Sequence, residues 1–133
     1  MSEANNVVVN GLALHHVSIN VTDLDRALEF YTGVLGLTRR TDRPEVIAGI
    51  KGAWLDAGGS QQIHLMEATD VPPALGQHFA LLVDAAADLG DVVAALRAQG
   101  LTAGDPFSVA PGRLQSMVPD PDGNVVELHQ ILP

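Results

Sequence analysis

Among the histidines and acidic residues of this 133-residue chain, four are candidate ligands of a divalent metal because their spacing repeats. Three are histidines and one is a glutamate: His16, His64, His78 and Glu127. His78 follows His16 by 62 residues, and Glu127 follows His64 by 63 residues. Three imidazoles and a carboxylate form a donor set suited to a divalent ion of Zn, Ni, Co, Mn or Fe(II). The sequence therefore predicts one metal site built from two similar halves of the chain.

The elements that must position these side chains also repeat. Residues 16–21 alternate polar and apolar side chains, as β-strands do, and in residues 78–83 the large apolar residues Phe79, Leu81 and Val83 recur at every second position. Each run precedes a helical pattern of apolar residues at i, i+3, i+4 and i+7, and each pattern ends at a Gly-Leu pair. Further extended runs follow, at 38–43, 52–56 and 61–67 in the first half and near Thr102, at 114–118 and at 124–130 in the second.

This order predicts an α+β fold made of two βαβββ modules, residues 11–71 and 72–133, within one structural domain. The eight strands are expected to form a curled sheet, two cup-shaped half-barrels around one metal site. Residues 1–10 show no clear pattern and are expected to form an N-terminal tail. A homodimer is expected, because open half-barrels leave strand edges and an apolar flank to cover.

Strand alternation places the four candidate ligands on one side of the predicted sheet. The apolar residues alternating with them are expected to pack under the helices, so the ligands point into the cavity. Four polar or flexible residues are predicted to lie on the same cavity-facing side of their strands: Ser18, Asn20, Gln62 and Met66. These are candidates for substrate contact, although simple packing explains them equally well. His15 and His129 are interpreted as structural residues, with a role for His129 at the cavity edge left open.

Two further residues are candidates for substrate binding, each with a simpler alternative. Trp54 precedes a predicted hairpin turn and is either a core aromatic or a wall on which a substrate stacks. Arg113 follows a Pro-Gly pair and is either a solvated loop residue or a group that holds an anionic substrate.

Composition excludes several classes of function. The net charge of −9, from sixteen acidic and seven basic residues, disfavours binding to nucleic acid. Zero cysteines remove disulfides, thiolate metal sites and cysteine nucleophiles. No apolar run approaches the roughly 18 residues that a membrane span needs, and the N-terminus lacks a signal-peptide pattern. We therefore expect a cytoplasmic protein that acts on a small molecule, without nucleic acid or membrane partners.

Two segments resemble a known superfamily. Residues 15–21 (HHVSINV) with the helical segment up to Gly36 resemble the opening module of the vicinal oxygen chelate superfamily, and residues 120–127 (DPDGNVVE) resemble its closing strand. The resemblance covers about residues 12–131, and the superfamily includes glyoxalases, extradiol dioxygenases, fosfomycin-resistance enzymes and bleomycin-binding proteins. It implies that His16, His64, His78 and Glu127 occupy the metal positions.

The resemblance implies a metal-dependent lyase or isomerase of the glyoxalase type, which passes through an enediolate-like intermediate with Glu127 as the catalytic proton shuttle. Glyoxalases usually have Glu or Gln where His64 stands, so the runner-up is an Fe(II) or Mn(II) extradiol-type ring-cleaving dioxygenase. Its triad would be His16, His78 and Glu127. A third interpretation is a small-molecule binding or resistance protein without turnover. The substrate, the metal, the role of His64 and whether one chain or two form the site stay open.

Overall fold

Two β-sheets, each covered by helical segments, make up the part of the chain that the computed structural model describes, residues 9–133. The predicted tail falls mostly on residues 1–8, which lie outside the described residues. The strands are β1 (His16–Val21), β2 (Thr38–Arg39), β3 (Val46–Ile47), β4 (Ile50–Asp56), β5 (Gln62–Glu67), β6 (His78–Val83), β7 (Phe107–Ala110), β8 (Arg113–Pro119) and β9 (Val125–Ile131). The helices are α1 (Leu24–Leu28), which continues as a π-helical segment (Glu29–Val34), and α2 (Leu89–Ala98).

The two sheets have the same topology, which confirms the predicted α+β fold and its internal repeat. The first has the order β1-β5-β4-β2, with β3 paired to β4, and the second has the order β6-β9-β8-β7. In each sheet the first strand pairs in parallel with the last strand of its module. The sheets are curled and not closed. Each keeps its own hydrogen bonding, so the eight predicted strands form two sheets side by side.

One face of each sheet carries the core, as alternation predicted. The buried apolar residues of the strands come from the positions that alternate with the candidate ligands: Val21, Ala53, Leu55, Ile63, Leu65, Val118, Val126 and Leu128. Both helices pack on this apolar face and bury residues of their own, including Leu24 and Ala27 in α1 and Val93 and Leu96 in α2. The opposite face carries the candidate ligands.

Both helices begin at an aspartate that caps the first turn. The side chain of Asp23 accepts a hydrogen bond from the backbone N–H of Arg26, and Asp88 accepts one from Asp91. The ends of β5 and β9 also hold these helix starts. Glu67 accepts from the N–H of Leu24, while the side chain of Gln130 donates to two carbonyls in the connection before α2. The repeat thus extends to how each helix is attached to its sheet.

The first helix widens into a π-helical segment where two consecutive aromatic residues, Phe30 and Tyr31, are both buried. The i→i+5 hydrogen bonds of a π-helical turn accommodate one more residue than those of an α-helix. The Tyr31 hydroxyl donates a 2.7 Å hydrogen bond to Asp120, a buried residue of the second module. Burial and the nearby Asp120 carboxylate raise the pKa of Tyr31, so the hydroxyl keeps its proton.

The turn at 120–124 joins the two modules. Asp122 accepts hydrogen bonds from the backbone and side chain of Thr22, and it also pairs with Arg26 at 3.2 Å. The Asn124 side chain donates to the carbonyl of Asn20 at the end of β1. The acidic turn therefore serves as a connection between modules.

Two strands differ from the prediction. The seventh strand lies at Phe107–Ala110 and not near Thr102, because residues 101–106 pack against the core and β8 before a strand pairs. An additional two-residue strand, β3, forms a hairpin with β4 inside the segment 40–52, where the sequence shows no motif. This hairpin is closed by Ala48 and Gly49, whose φ angles are 51° and 77°. Positive φ at both central residues is the conformation that tight two-residue hairpins require.

No helix among residues 9–133 is long and apolar enough to cross a membrane.

Candidate metal centre

The polar face of the first sheet carries two of the predicted ligands on neighbouring strands. His16 begins β1, and His64 lies in the middle of β5 opposite Ser18. Trp54 of β4 lies opposite His64 in turn, so Ser18, His64 and Trp54 form one row across the sheet. Since cross-strand partners point to the same side, His16 and His64 share the face turned away from the helices.

Three aromatic rings stack along this face. The rings of His16 and His64 are nearly parallel, with their centroids 3.8 Å apart. The centroid of the Trp54 ring lies 5.0 Å from that of His64, and the two ring planes are tilted by 21°. The His15 ring meets His16 edge-on, with the two Nδ1 atoms 2.8 Å apart. The two imidazoles therefore lie face to face in this column.

His64 is held as a neutral ring. Desolvation by burial, followed by the neighbouring charges of His16 and His15, lowers its pKa to about 4. Its Nε2 lies 2.8 Å from the side-chain oxygen of Gln62, an arrangement in which the ring donates and the amide oxygen accepts. A neutral imidazole is the form that binds a metal. However, its Nε2 becomes available only if the Gln62 amide turns away.

The second sheet carries the other two predicted ligands in direct contact. Glu127 of β9 is only 5% exposed and lies between Ala80 and Met117 on the neighbouring strands. Nε2 of His78 lies 3.1 Å from one of its carboxylate oxygens. His129 places its Nδ1 2.9 Å from the other oxygen. Both oxygens of this buried carboxylate are therefore met by imidazole nitrogens.

The hydrogen bonds of His78 suit a metal ligand. Its Nδ1 lies 2.8 Å from the carbonyl oxygen of Gly76, which only accepts, so Nδ1 carries a proton. In the neutral ring Nε2 then presents a lone pair toward the Glu127 carboxylate, another acceptor. Two such lone pairs come together favourably when a proton or a cation lies between them. A backbone carbonyl that fixes the tautomer in this way is typical of metal-binding histidines.

The two pairs occupy equivalent positions in the repeat. His64 lies opposite Ser18, two residues after His16. Glu127 lies opposite Ala80, two residues after His78. They nevertheless stand on two separately hydrogen-bonded sheets. Within residues 9–133, no group of three or more His, Asp or Glu side chains is arranged to hold a metal ion. The chain thus shows two half-sets of donors of the right chemical type.

The other predicted residues fall into three groups. Ser18 and Asn20 line a cleft of about 420 Å³ between β1, the Pro72-Pro73 linker and the start of β6, beside His78. Gln62 bonds to His64, while Trp54 and Met66 line a smaller cavity of about 180 Å³. Arg113 lies opposite Ile131, four residues along β8 from Met117, the residue facing Glu127. The structure therefore does not bring Arg113 to either half-set.

Three contacts escaped the sequence interpretation. His129, taken as structural, bonds to Glu127; its position two residues along the same strand was the available signal. His15, also taken as structural, precedes β1, is exposed and contacts His16. Arg43 lies with its guanidinium carbon 6.0 Å from the centre of the Trp54 ring, and no pattern in its loop indicated this.

Comparison with known proteins places this architecture in a family. The family profile described as Glyoxalase/Bleomycin resistance protein/Dioxygenase superfamily matches residues 13–128. No curated protein matches the chain.

Several solved structures have the same fold. A putative glyoxalase family protein from Bacillus anthracis has a TM-score of 0.77 at 23% identity, covering 94% of this chain and 99% of its own. TnmS3, an antibiotic-binding protein from Streptomyces sp. CB03234, has a TM-score of 0.72 at 26% identity. The match covers 93% of this chain and 99% of TnmS3.

A third structure is a glutamate-to-glutamine mutant of the fosfomycin-resistance protein FosX from Listeria monocytogenes, complexed with Mn(II) and 1S,2S-dihydroxypropylphosphonic acid. It has a TM-score of 0.73 at 17% identity, covering 92% of this chain and 93% of its own. The structures confirm the fold, and the family match covers most of the chain. The chain belongs to the Glyoxalase/Bleomycin resistance protein/Dioxygenase superfamily.

Proposed function

We propose that the protein is a metal-dependent lyase or isomerase of the glyoxalase type, acting on a small molecule that offers two neighbouring oxygens. The metal ligands are His16, His64, His78 and Glu127. The observation that carries this proposal is the 3.1 Å pairing of His78 with the buried Glu127, while the other ring nitrogen of His78 is held by the carbonyl of Gly76. Superfamily members include metal-dependent enzymes, which agrees with this donor set.

The residues of the chain divide the chemical work. A bound divalent ion supplies charge that polarises the substrate oxygens. Glu127 takes a proton from the carbon next to a carbonyl. Returning it to the neighbouring carbon, while the hydroxyl proton passes to the former carbonyl oxygen, completes an isomerisation, and returning it to the other face of the same carbon completes an epimerisation. His129 donates to the Glu127 oxygen that His78 does not contact, which keeps that carboxylate oriented. Low exposure of Glu127 strengthens its interaction with the substrate proton, because little water competes there.

The site is completed by two copies of the chain. Each copy carries one half-set on each of its sheets, and the half-sets occupy equivalent positions. In the part of the chain described, β1 and β6 each pair with a neighbouring strand along one edge only. Apolar side chains also lie exposed on the face of Glu127, among them Leu82 at 72% and Phe107 at 47%. A homodimer would bury this face and bring complementary half-sets together.

A ring-cleaving dioxygenase is the second candidate, and one contact favours it. The Nε2 atom of His64 is already bonded to Gln62, which leaves His16, His78 and Glu127 as a set of two histidines and one carboxylate. That set matches the facial triad of non-heme Fe(II) oxygenases.

Metal analysis combined with a substrate panel tests the proposal. We expect about one divalent ion per chain in protein prepared without chelators. With Zn, Ni or Co we expect turnover of a hemithioacetal or of an acyl-CoA epimer. Iron together with oxygen uptake on catechols would support the dioxygenase instead. A protein that binds no metal and turns over neither class of substrate would contradict both and leave a binding protein.

A further inference from the structure

A small apolar cavity lies under the β3–β4 hairpin, on the polar face of the first sheet. Its volume is about 180 Å³. The hairpin forms its roof with Ile47, Ala48 and Ile50, and the sheet forms its floor with Trp54, His64 and Met66. His64, a residue of the proposed metal site, is the polar group on this floor. The cavity therefore opens beside the place where substrate oxygens would be held.

The roof of this cavity is fixed in place by Arg43. Its guanidinium donates to the carbonyls of Pro44 and Glu45 at 2.6 and 3.0 Å, and to that of Ile50 at 3.3 Å. It passes close to Gly52, where an added Cβ would meet the backbone oxygen of Leu65 and would lie 2.8 Å from Nη2 of Arg43. A side chain at position 52 would therefore disturb the neighbouring strand as well as the arginine. The absence of one lets the hairpin close down on the sheet.

We infer that this cavity receives a single aromatic ring of the substrate, joined directly or through one carbon to the oxygens held by the metal. The inference rests on the proposed function only for the placement of those oxygens. The volume suits one ring, since an apolar cavity of about 150 Å³ is enough to bind benzene. Trp54 and His64 both line the cavity, so a ring that fills it contacts His64.

The lining favours an aromatic ring over an alkyl chain of the same size. The Trp54 indole and the Met66 thioether both line the cavity, and both make favourable contacts with aromatic rings. The Arg43 cation near Trp54 adds attraction for a π-system, while its hydrogen bonds to backbone carbonyls keep it in the roof. An alkyl chain would gain only from burial of its surface.

Fluorescence of Trp54 tests this inference directly, because it is the only tryptophan in the chain. Benzyl alcohol and 1-heptanol have equal numbers of heavy atoms and serve as probes of the metal-free, full-length protein. We expect saturable quenching by benzyl alcohol, with binding about fivefold tighter than that of 1-heptanol. The Met66 methyl resonance is expected to shift in the same titration.

Two hairpin variants locate the site. Ile47→Asp puts a charge into the cavity and is expected to abolish saturable binding. Val46→Asp makes the same change one residue away, at a position 55% exposed that does not line the cavity, and should bind as the original protein does. Equal binding of both probes, or unchanged binding in Ile47→Asp, would overturn the inference.

The two proposals fail separately. Ring binding in a protein that takes up no metal would leave this inference standing and contradict the proposed enzyme. Metal uptake with no ring binding would overturn this inference alone.

Discussion

Replacement of Glu127 by glutamine is expected to weaken divalent metal binding by at least about 100-fold. The side chain keeps its size and can still accept a hydrogen bond, so the strand should remain in place. What is lost is the negative charge that faces the nitrogen of His78 at 3.1 Å. A neutral amide oxygen is a much poorer ligand than a carboxylate, and it cannot take a proton from a substrate carbon.

Isothermal titration with Mn(II) or Zn(II) measures this effect. The matched control is Glu67→Gln, which removes the charge of a carboxylate that accepts from the first turn of α1. We expect the control to bind metal as the original protein does. If Glu127→Gln also binds metal normally, Glu127 is only an acceptor for its two histidines, and the metal assignment is wrong.

Replacement of Asp120 by alanine is expected to lower the free energy of unfolding by about 3–4 kcal/mol. The buried carboxylate accepts from the Tyr31 hydroxyl at 2.7 Å and from the backbone N–H groups of Asp122 and Asn124. It also accepts from the Asn124 side chain. Removing it leaves a buried hydroxyl without a partner and releases the turn that joins the modules.

Chemical denaturation measures the loss, with Asp105→Ala as the control. Asp105 pairs with Arg97 at 2.8 Å, but its side chain is 87% exposed, so the change should cost less than about 0.5 kcal/mol. Tyr31→Phe should lie between the two, because it removes one hydrogen bond and leaves the others. An Asp120→Ala protein as stable as the control would show that the turn does not hold the modules together.

The sequence predicted which face each candidate ligand occupies because strand alternation is a local property. Val17 and Ile19 show which side of β1 faces the core, and this places His16 and Ser18 on the opposite face. The same argument applied to β9 places Glu127 and His129 on one face, which the structure shows as a hydrogen bond. The internal repeat added the correspondence between sheets, and the register of both sheets confirms it.

Other features depend on contacts that no local pattern encodes. The β3–β4 hairpin closes with an alanine at positive φ, and alanine is not a residue that signals such a turn. Its position depends on Arg43, which binds carbonyls of its own loop. The arrangement of the sheets depends on pairs such as Tyr31 with Asp120, which are 89 residues apart. The sequence therefore predicted one site formed by four ligands, and local patterns did not indicate that the ligands would lie as two pairs on separate sheets.

The central claim is that two copies of the chain share each metal site, and metal binding by a mixture of two inactive variants tests it most directly. His16→Ala and Glu127→Gln chains are unfolded together, refolded and titrated with metal. Each variant alone should bind none tightly. Half of the dimers formed at random are mixed, and each mixed dimer holds one intact site, so about one ion per four chains should bind. A mixture that binds no metal would contradict the claim and return all four ligands to one chain.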